Sequence, residues 1–280
     1  MELNSQIVTL CFPARCLGCG QEISPYQPVR RSDRSPVTDR EASHFFSLSQ
    51  NRHWSPFDFN AAFDDHWCRD CWRKLSISAP HQCQKCGANL YQKPPLPLHR
   101  ACALCQGVDL RFEQAVSIGN YRGLLQELVI RMKNRHDEQI AVQLGNLLAF
   151  ELINADFFDD LDLVVPVPTH WWRRVRRGFQ AAEVVSETIA AACDIPYAGQ
   201  IMRCLRHTKK QGTLSTPGRF KNVRGAFGVR PNVNVDGLTI LLVDDVMTSG
   251  ATASELARML IARRAGKVYV GVIARGAGVS

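Results

Sequence analysis

From Phe112 onward, apolar positions along the chain alternate between helical and strand-like spacing. Residues 112–123 (FEQAVSIGNYRG) predict a short strand and turn. Gly123–Asn134 places Leu124, Leu128 and Met132 four apart, which is one face of a helix. Asp137–Asn154 continues as a second amphipathic helix. Leu161–Pro168 (LDLVVPVP) is an unbroken apolar run of buried-strand length, and Arg174–Ala192 predicts another helix. Leu238–Val243 is a second buried strand, and Thr252–Arg264 is a helix with Leu256, Leu260 and Ile261 on one face. Lys267–Ala274 is the last strand. Strands alternating with helices predict an α/β fold, a mostly parallel sheet with helices on both faces.

The first 110 residues lack that rhythm and are organised by cysteine instead. Eight of the eleven cysteines form four CxxC pairs: Cys16/Cys19, Cys68/Cys71, Cys83/Cys86 and Cys102/Cys105. Two sulfurs on one tight turn suit a tetrahedral zinc ion. Glycine follows the second cysteine at Gly20 and Gly87, where it lets the backbone curl beneath the sulfurs. Consecutive pairing gives two four-cysteine sites, the second with fifteen residues between its knuckles, a zinc-ribbon spacing. Cross-bracing, first pair with third and second with fourth, fits the spacing equally. A redox CxxC would need a thioredoxin-like βαβ setting, which is missing here. Cys11, Cys193 and Cys204 read as core or structural residues. The expected organisation is a double ribbon over 1–110, interrupted at about 21–67, followed by an α/β domain over 111–280. The interruption is polar and aperiodic at first. It ends in aromatics (Trp54, Phe57, Phe59, Phe63, Trp67) suited to covering a ribbon or stacking on bases, with His53 and His66 as spare metal ligands.

Composition narrows the class. With 45% apolar and 21% charged residues among 280, the chain is ordinary for a globular protein, which excludes disorder as its main state. No run reaches the roughly 18–20 apolar residues of a membrane span, and the first twenty residues lack an export signal, so a cytoplasmic protein is expected. The net charge is +8, and its distribution is uneven. Between His170 and Arg230, twelve Lys and Arg face only Glu183, Glu187 and Asp194. Such a concentration predicts a polyanionic partner, either a phosphorylated small molecule or a nucleic-acid backbone.

The sharpest chemical signal is Ile240–Thr252, ILLVDDVMTSGAT. A buried strand leads to Asp244 and Asp245, then to Val246, Met247, Thr248, Ser249, Gly250, Ala251 and Thr252, where a helix begins. Ligands of open α/β sheets sit at such carboxyl ends. Amides at the helix start, with the hydroxyls beside them, make a phosphate cradle. The acidic pair stands where it can accept hydrogen bonds from vicinal ribose hydroxyls. A simple helix cap would need one of these residues, not the whole set.

This stretch resembles the phosphoribosyl-pyrophosphate (PRPP) motif of type I phosphoribosyltransferases. The wider pattern resembles the ComF family: Val164–Pro168, Arg174, Arg177-Gly178-Phe179, Leu205-Arg206-His207-Thr208, Gln211, Leu214, Arg219, Asn222, Gly225, Phe227 and the closing Ile273–Arg275. That family joins a double zinc ribbon to a phosphoribosyltransferase domain. The likeness covers nearly the whole chain outside 21–67. One departure stands out. Where the family has Asn-Gln-Ala-Glu after Arg-Gly-Phe, this chain has Gln180-Ala181-Ala182-Glu183, so a family glutamine is replaced by Ala181.

The resemblance implies a type I phosphoribosyltransferase-like sheet with flanking helices and a hood, preceded by the ribbon module. It implies that Asp244–Thr252 binds PRPP, that Arg173, Arg174 and Arg177 face pyrophosphate, and that His207–Phe227, with Arg206 and Arg219, forms the hood. Trp171 and Trp172 are expected either to shape the wall or to pack in the core or hood, and Lys133 to add charge. Two structural zinc ions are expected on the eight paired cysteines, and magnesium with PRPP. No residue identifies itself as the general base, so the catalytic residue and the acceptor are unassigned. The alternative is a PRPP or nucleotide sensor, or a protein that handles single-stranded DNA or docks to a competence-machinery protein.

Overall fold

The computed structural model describes residues 14–23, 66–75, 81–90, 102–169, 180–208 and 214–276, the Arg135 side chain excepted. The chain divides into two compact units, Met1–Ile77 and Ser78–Ser280. From sequence alone both cysteine clusters fall in residues 1–110; the compact units divide earlier, between them.

In the first unit, an isolated antiparallel bridge pairs Arg15 with Glu22, and helix α1 spans Arg69–Leu75. The two flanks of the interruption are tied together. The Leu17 N–H donates to the His66 carbonyl at 3.0 Å, and the Cys68 N–H donates to Cys16 Sγ at 3.2 Å. Trp67, the last of the aromatic tail, is fully buried. The other aromatics named for that tail, and His53, lie outside the described residues. Because its ends already meet, residues 24–65 should be removable. Replacing them with a short Gly/Ser linker should leave the α/β unit melting as before and zinc at two per chain, read by calorimetry and metal analysis.

The second unit holds a hairpin of β1 (His81–Gln82) and β2 (Asn89–Leu90), paired antiparallel, and a four-stranded sheet. That sheet contains β3 (Ala115–Asn120), β4 (Leu163–Pro166), β7 (Thr239–Met247) and β8 (Lys267–Arg275) in the order β3-β8-β7-β4, every pair parallel. Helices α2 (Gly123–Arg131), α3 (Glu138–Ile153), α4 (Ala181–Cys193) and α6 (Ala251–Ile261) connect and cover it. Leu128, Met132, Leu144, Leu148, Ile189, Leu256 and Leu260 are fully buried, as the periodicity requires. Ile261 departs from that face and is 44% exposed. One residue beyond Leu260 rotates a side chain about 100°, away from the sheet. Residues 174–179 of the expected helix lie outside the described residues.

A small antiparallel pair, β5 (Met202–Cys204) with β6 (Phe227–Val229), encloses helix α5 (Thr216–Val223) in the segment expected as the hood. Ser215 caps α5 by accepting from the Gly218 N–H. The polar sequence of that segment gave no strand signal, and three-residue strands are too short to show a period. Among the described residues no helix is long and apolar enough to cross a membrane.

Candidate functional site

Two features converge at the carboxyl edge of the sheet, the loop after β7 and a cysteine cluster. The loop comes from β7. Its strand runs further than the apolar pattern suggested, through Asp244 and Asp245 to Met247, because β8 pairs alongside as far as Met247↔Arg275. The acidic pair therefore lies within the strand, held by backbone bonds rather than by a loose loop. The Asp244 carboxylate accepts from the Asp245 N–H at 2.8 Å, and the Asp245 carboxylate accepts from the Val246 N–H at 2.6 Å. Lys133, just beyond α2, meets the Asp245 carboxylate at 2.7 Å. Among the described residues, Asp244 has no such cation in contact. It keeps some accessible surface, yet protein packs densely around its carboxyl group. Desolvation, followed by the neighbouring charge of Asp245, pushes its pKa well above the ordinary carboxylate range.

Helix α6 starts at Ala251 with Gly250 as its cap, in the left-handed region at φ 75°. A Cβ at Gly250 would lie 2.9 Å from the Leu110 side chain, so the glycine is required by the protein's own packing as well as by its backbone angle. The Thr248, Ser249 and Gly250 amides have no hydrogen-bond partner among the described residues, as expected of amides ahead of a helix. The Ser249 hydroxyl accepts from the Ala251 N–H at 3.4 Å.

The other predicted site residues are distributed unevenly. Arg173, Arg174 and Arg177, with Trp171 and Trp172, lie outside the described residues. Arg206 donates to the Asn222 and Arg224 carbonyls at the end of α5, and Arg219 is buried with its Nε donating to the Leu214 carbonyl. Both arginines thus bind carbonyls of the expected hood. Gln180, at the family departure, donates to the Val167 carbonyl just past β4 at 3.3 Å.

The eight paired cysteines form two clusters by consecutive pairing: Cys16, Cys19, Cys68 and Cys71, then Cys83, Cys86, Cys102 and Cys105. Within each, one sulfur per residue lies within 4.8 Å of the others. Four sulfurs around a tetrahedral zinc ion sit about 3.8 Å apart. The sulfurs of Cys19 and Cys68 are 3.7 Å apart, those of Cys83 and Cys105 3.8 Å, and those of Cys86 and Cys102 3.6 Å. In each cluster some thiols are drawn toward the thiolate and others away from it. At Cys16 desolvation raises the thiol pKa, but N–H groups from Cys68, Cys19 and Gly18 outweigh it and bring it to about 7. Hydrogen bonding with Cys105 lowers Cys102 to about 6. Spacing and chemistry both fit zinc. Of the remaining cysteines, Cys193 is buried in α4, where burial pushes its thiol up to about 12.

The second cluster is built into the α/β unit. The Ala115 N–H donates to the Gln84 carbonyl at 3.0 Å, the Ser117 hydroxyl to the Gly87 carbonyl at 2.7 Å, and Gln82 Nε2 to the Ser117 carbonyl at 2.7 Å. Cys83, Cys86 and Cys105 belong to the same apolar core as Leu242, Val270 and Leu256.

The DNA utilization protein YhgH of Salmonella typhimurium is 31% identical over 215 residues, covering 75% of this chain and 91% of that protein. The chain belongs to the ComF family. Competence protein F of Haemophilus influenzae is 29% identical over 197 residues, covering 69% of this chain and 83% of its own length. No family profile matches the chain. Among solved structures, the glutamine PRPP amidotransferase of B. subtilis complexed with ADP and GMP is similar at 23% identity and a TM-score of 0.32, covering 47% of this chain and 25% of that one. ComF membership, the four-stranded parallel sheet with flanking helices and the four-cysteine clusters agree with the α/β fold and cysteine-rich module expected from sequence.

Proposed function

We propose that this ComF protein binds PRPP at Asp244–Thr252 and transfers its phosphoribosyl group with release of pyrophosphate. The observation that carries this reading is the partnerless run of amides at Thr248–Gly250, placed directly after an acidic pair of which one member is desolvated. Unpartnered amides at a helix start suit the 5-phosphate. A carboxylate removed from water, with no cation in contact among the described residues, suits two ribose hydroxyls, which would supply hydrogen bonds to it. Lys133 holds Asp245 and limits the repulsion between the two acids. As the bond from C1 to pyrophosphate breaks, positive charge develops on the ribose ring, and the two carboxylates lie on the ribose side of the loop to offset it. Arg173, Arg174 and Arg177 belong to this reading as the group facing pyrophosphate. Magnesium carried by the pyrophosphate oxygens supplies charge neutralisation on the leaving group. Zinc in both clusters is structural, with the two ribbons spanning 1–110 in a cytoplasmic protein. Measuring pyrophosphate release from PRPP with a panel of base, amine and water acceptors tests the reading; no release with any of them, and no PRPP binding by calorimetry, would overturn it.

The state of Asp244 makes binding pH-dependent. Its pKa is raised by folding, so the folded protein binds more protons than the unfolded chain above the ordinary carboxylate range. Stability therefore falls as pH rises from that range through the folded-state value. Ribose hydroxyls favour the ionised form, so PRPP affinity should rise across the same window with uptake of PRPP releasing a proton. Calorimetry in two buffers of different ionisation enthalpy reads that proton; equal apparent heats would contradict the assignment.

A second reading is favoured by a separate observation. Two cavities of about 730 and 340 Å³ share Arg258 on the outer side of α6. Arg111, Lys221 and Arg224 line the first, and Arg203 and Arg263 the second, against only Asp109 and Glu255. Such a face suits a nucleic-acid backbone, in keeping with relatives named for competence and DNA utilization. Titrating single-stranded DNA binding against salt tests it: a steep negative slope that flattens in Arg203→Ala/Arg263→Ala supports the face, and an unchanged slope removes it.

A further inference from the structure

Arg275, the last residue of β8, is 3% exposed and takes no part in the chemistry proposed above. A buried guanidinium is tolerated only where its N–H groups are bonded. Here every recorded acceptor is a main-chain carbonyl. Its Nε donates to the Cys86 carbonyl at 2.9 Å. Its Nη1 donates to the Met247 carbonyl at 2.9 Å, to the Gly276 carbonyl at 2.6 Å and to the Thr248 carbonyl. One side chain therefore joins a residue of the second cysteine cluster to two consecutive peptides of the phosphate loop.

We infer that Arg275 is a positioning residue that aims the loop amides at the ligand phosphate and takes its own position from the metal-bound Cys86 knuckle. The reason is peptide geometry. In a planar trans peptide the carbonyl and the following N–H point in opposite directions. With the Met247 and Thr248 carbonyls drawn to Arg275, the Thr248 and Ser249 N–H groups must face away from it. Those are two of the three amides left without a partner. The same cluster region supports the loop a second time, since Leu110 and Phe112 pack beneath Gly250. Cys86 itself is fully buried, and its sulfur is 3.6 Å from that of Cys102, so four-sulfur coordination would fix the knuckle whose carbonyl Arg275 grips. Lysine at 275 keeps the charge but loses the fork, and a single ammonium cannot span both sides.

This inference rests on the phosphate-binding reading of the loop, and its test separates the two. Hydrogen exchange is measured on the zinc-loaded full chain, wild type and Arg275→Lys, beside PRPP affinity by calorimetry and zinc content. Exchange at the bonded amides beside the strut, Met247 and Gly276, should quicken at least tenfold in Arg275→Lys and PRPP affinity should fall at least tenfold, with zinc still at two per chain and with β4 and α3 exchanging as in wild type. Exchange at those amides and affinity equal to wild type would overturn the inference, and so would a uniform rise across the sheet, which marks general destabilisation. A wild-type chain that fails to bind PRPP, with the localised exchange change still present, removes the PRPP reading and leaves the strut in place. If Arg275→Lys does not fold, chelation of the wild-type protein carries the test. Loss of zinc from the second cluster, followed by alkylation of Cys83, Cys86, Cys102 and Cys105, should quicken exchange at Met247 and Gly276 first; no change there would overturn the coupling.

Discussion

Cys105→Ser should lower the zinc content from two ions to one per chain and cut the melting temperature of the α/β unit by roughly 10 °C or more. Cys105 is 3% exposed, and its sulfur is 3.8 Å from those of Cys83 and Cys102. Serine at that position offers zinc a poor ligand and leaves three thiols crowded in an apolar core. Metal binding at such a site is folding free energy, on the order of 10 kcal/mol for small zinc modules. Losing even a third of it, at about 2–4 °C per kcal/mol for a unit of this size, gives the stated shift. Cys16→Ser should also reduce zinc to one per chain, but its effect should stay in the first unit, because Cys16 belongs to Met1–Ile77. The contrast matters more than either value. Metal analysis and calorimetry on both variants read it, and an α/β transition unmoved by Cys105→Ser would mean that the second cluster does not hold up the fold.

That contrast was not legible in the sequence, and the reason is physical. CxxC spacing reports which sulfurs can share an ion, and it identified all eight. It says nothing about what the knuckles lean on. The second cluster joins β3 through the Ala115 N–H to the Gln84 carbonyl and the Ser117 hydroxyl to the Gly87 carbonyl, and acceptors on the main chain leave no mark in side-chain pattern. Gly87 is the nearest thing to a signal. It has φ 67°, and a Cβ there would lie 3.2 Å from the Ala115 carbonyl, but from sequence it served only as the residue that curls a knuckle. The sheet was more legible, since buried parallel strands such as Val164–Pro166 and Ile240–Val243 are apolar on both faces. The extension of β7 through Asp244 and Asp245 was not, because strand length there is set by pairing with β8 rather than by hydrophobicity. Lys133 was legible as a nearby charge, and its contact with Asp245 depends on where α2 ends. Arg275 reads in sequence as the end of the closing Ile273–Arg275 of the family resemblance, one residue past the expected strand, and nothing in the pattern shows what its side chain holds.

The acidic pair should show opposite effects on binding and stability. Asp244→Asn/Asp245→Asn should weaken PRPP binding about ten- to a hundredfold, the loss of roughly 1.5–3 kcal/mol when charge-assisted hydrogen bonds become neutral ones. Stability at neutral pH should move the other way for Asp244→Asn alone. Wherever that carboxyl group is ionised it carries the cost of desolvation and of repulsion from Asp245, and the amide carries neither cost. Asp245→Asn should differ, because it removes the partner of Lys133 at 2.7 Å, and relief of the repulsion on Asp244 is offset by a lysine left unpaired. Lower affinity with a higher melting temperature in Asp244→Asn is what a group retained for its ligand produces, since a group retained for folding loses both together. Single-stranded DNA binding gives the control on the same preparation. Taking two negative charges from a basic protein should leave that affinity unchanged or raise it. Unchanged PRPP affinity in the double variant would overturn the ligand site at the end of β7, whatever the stability does.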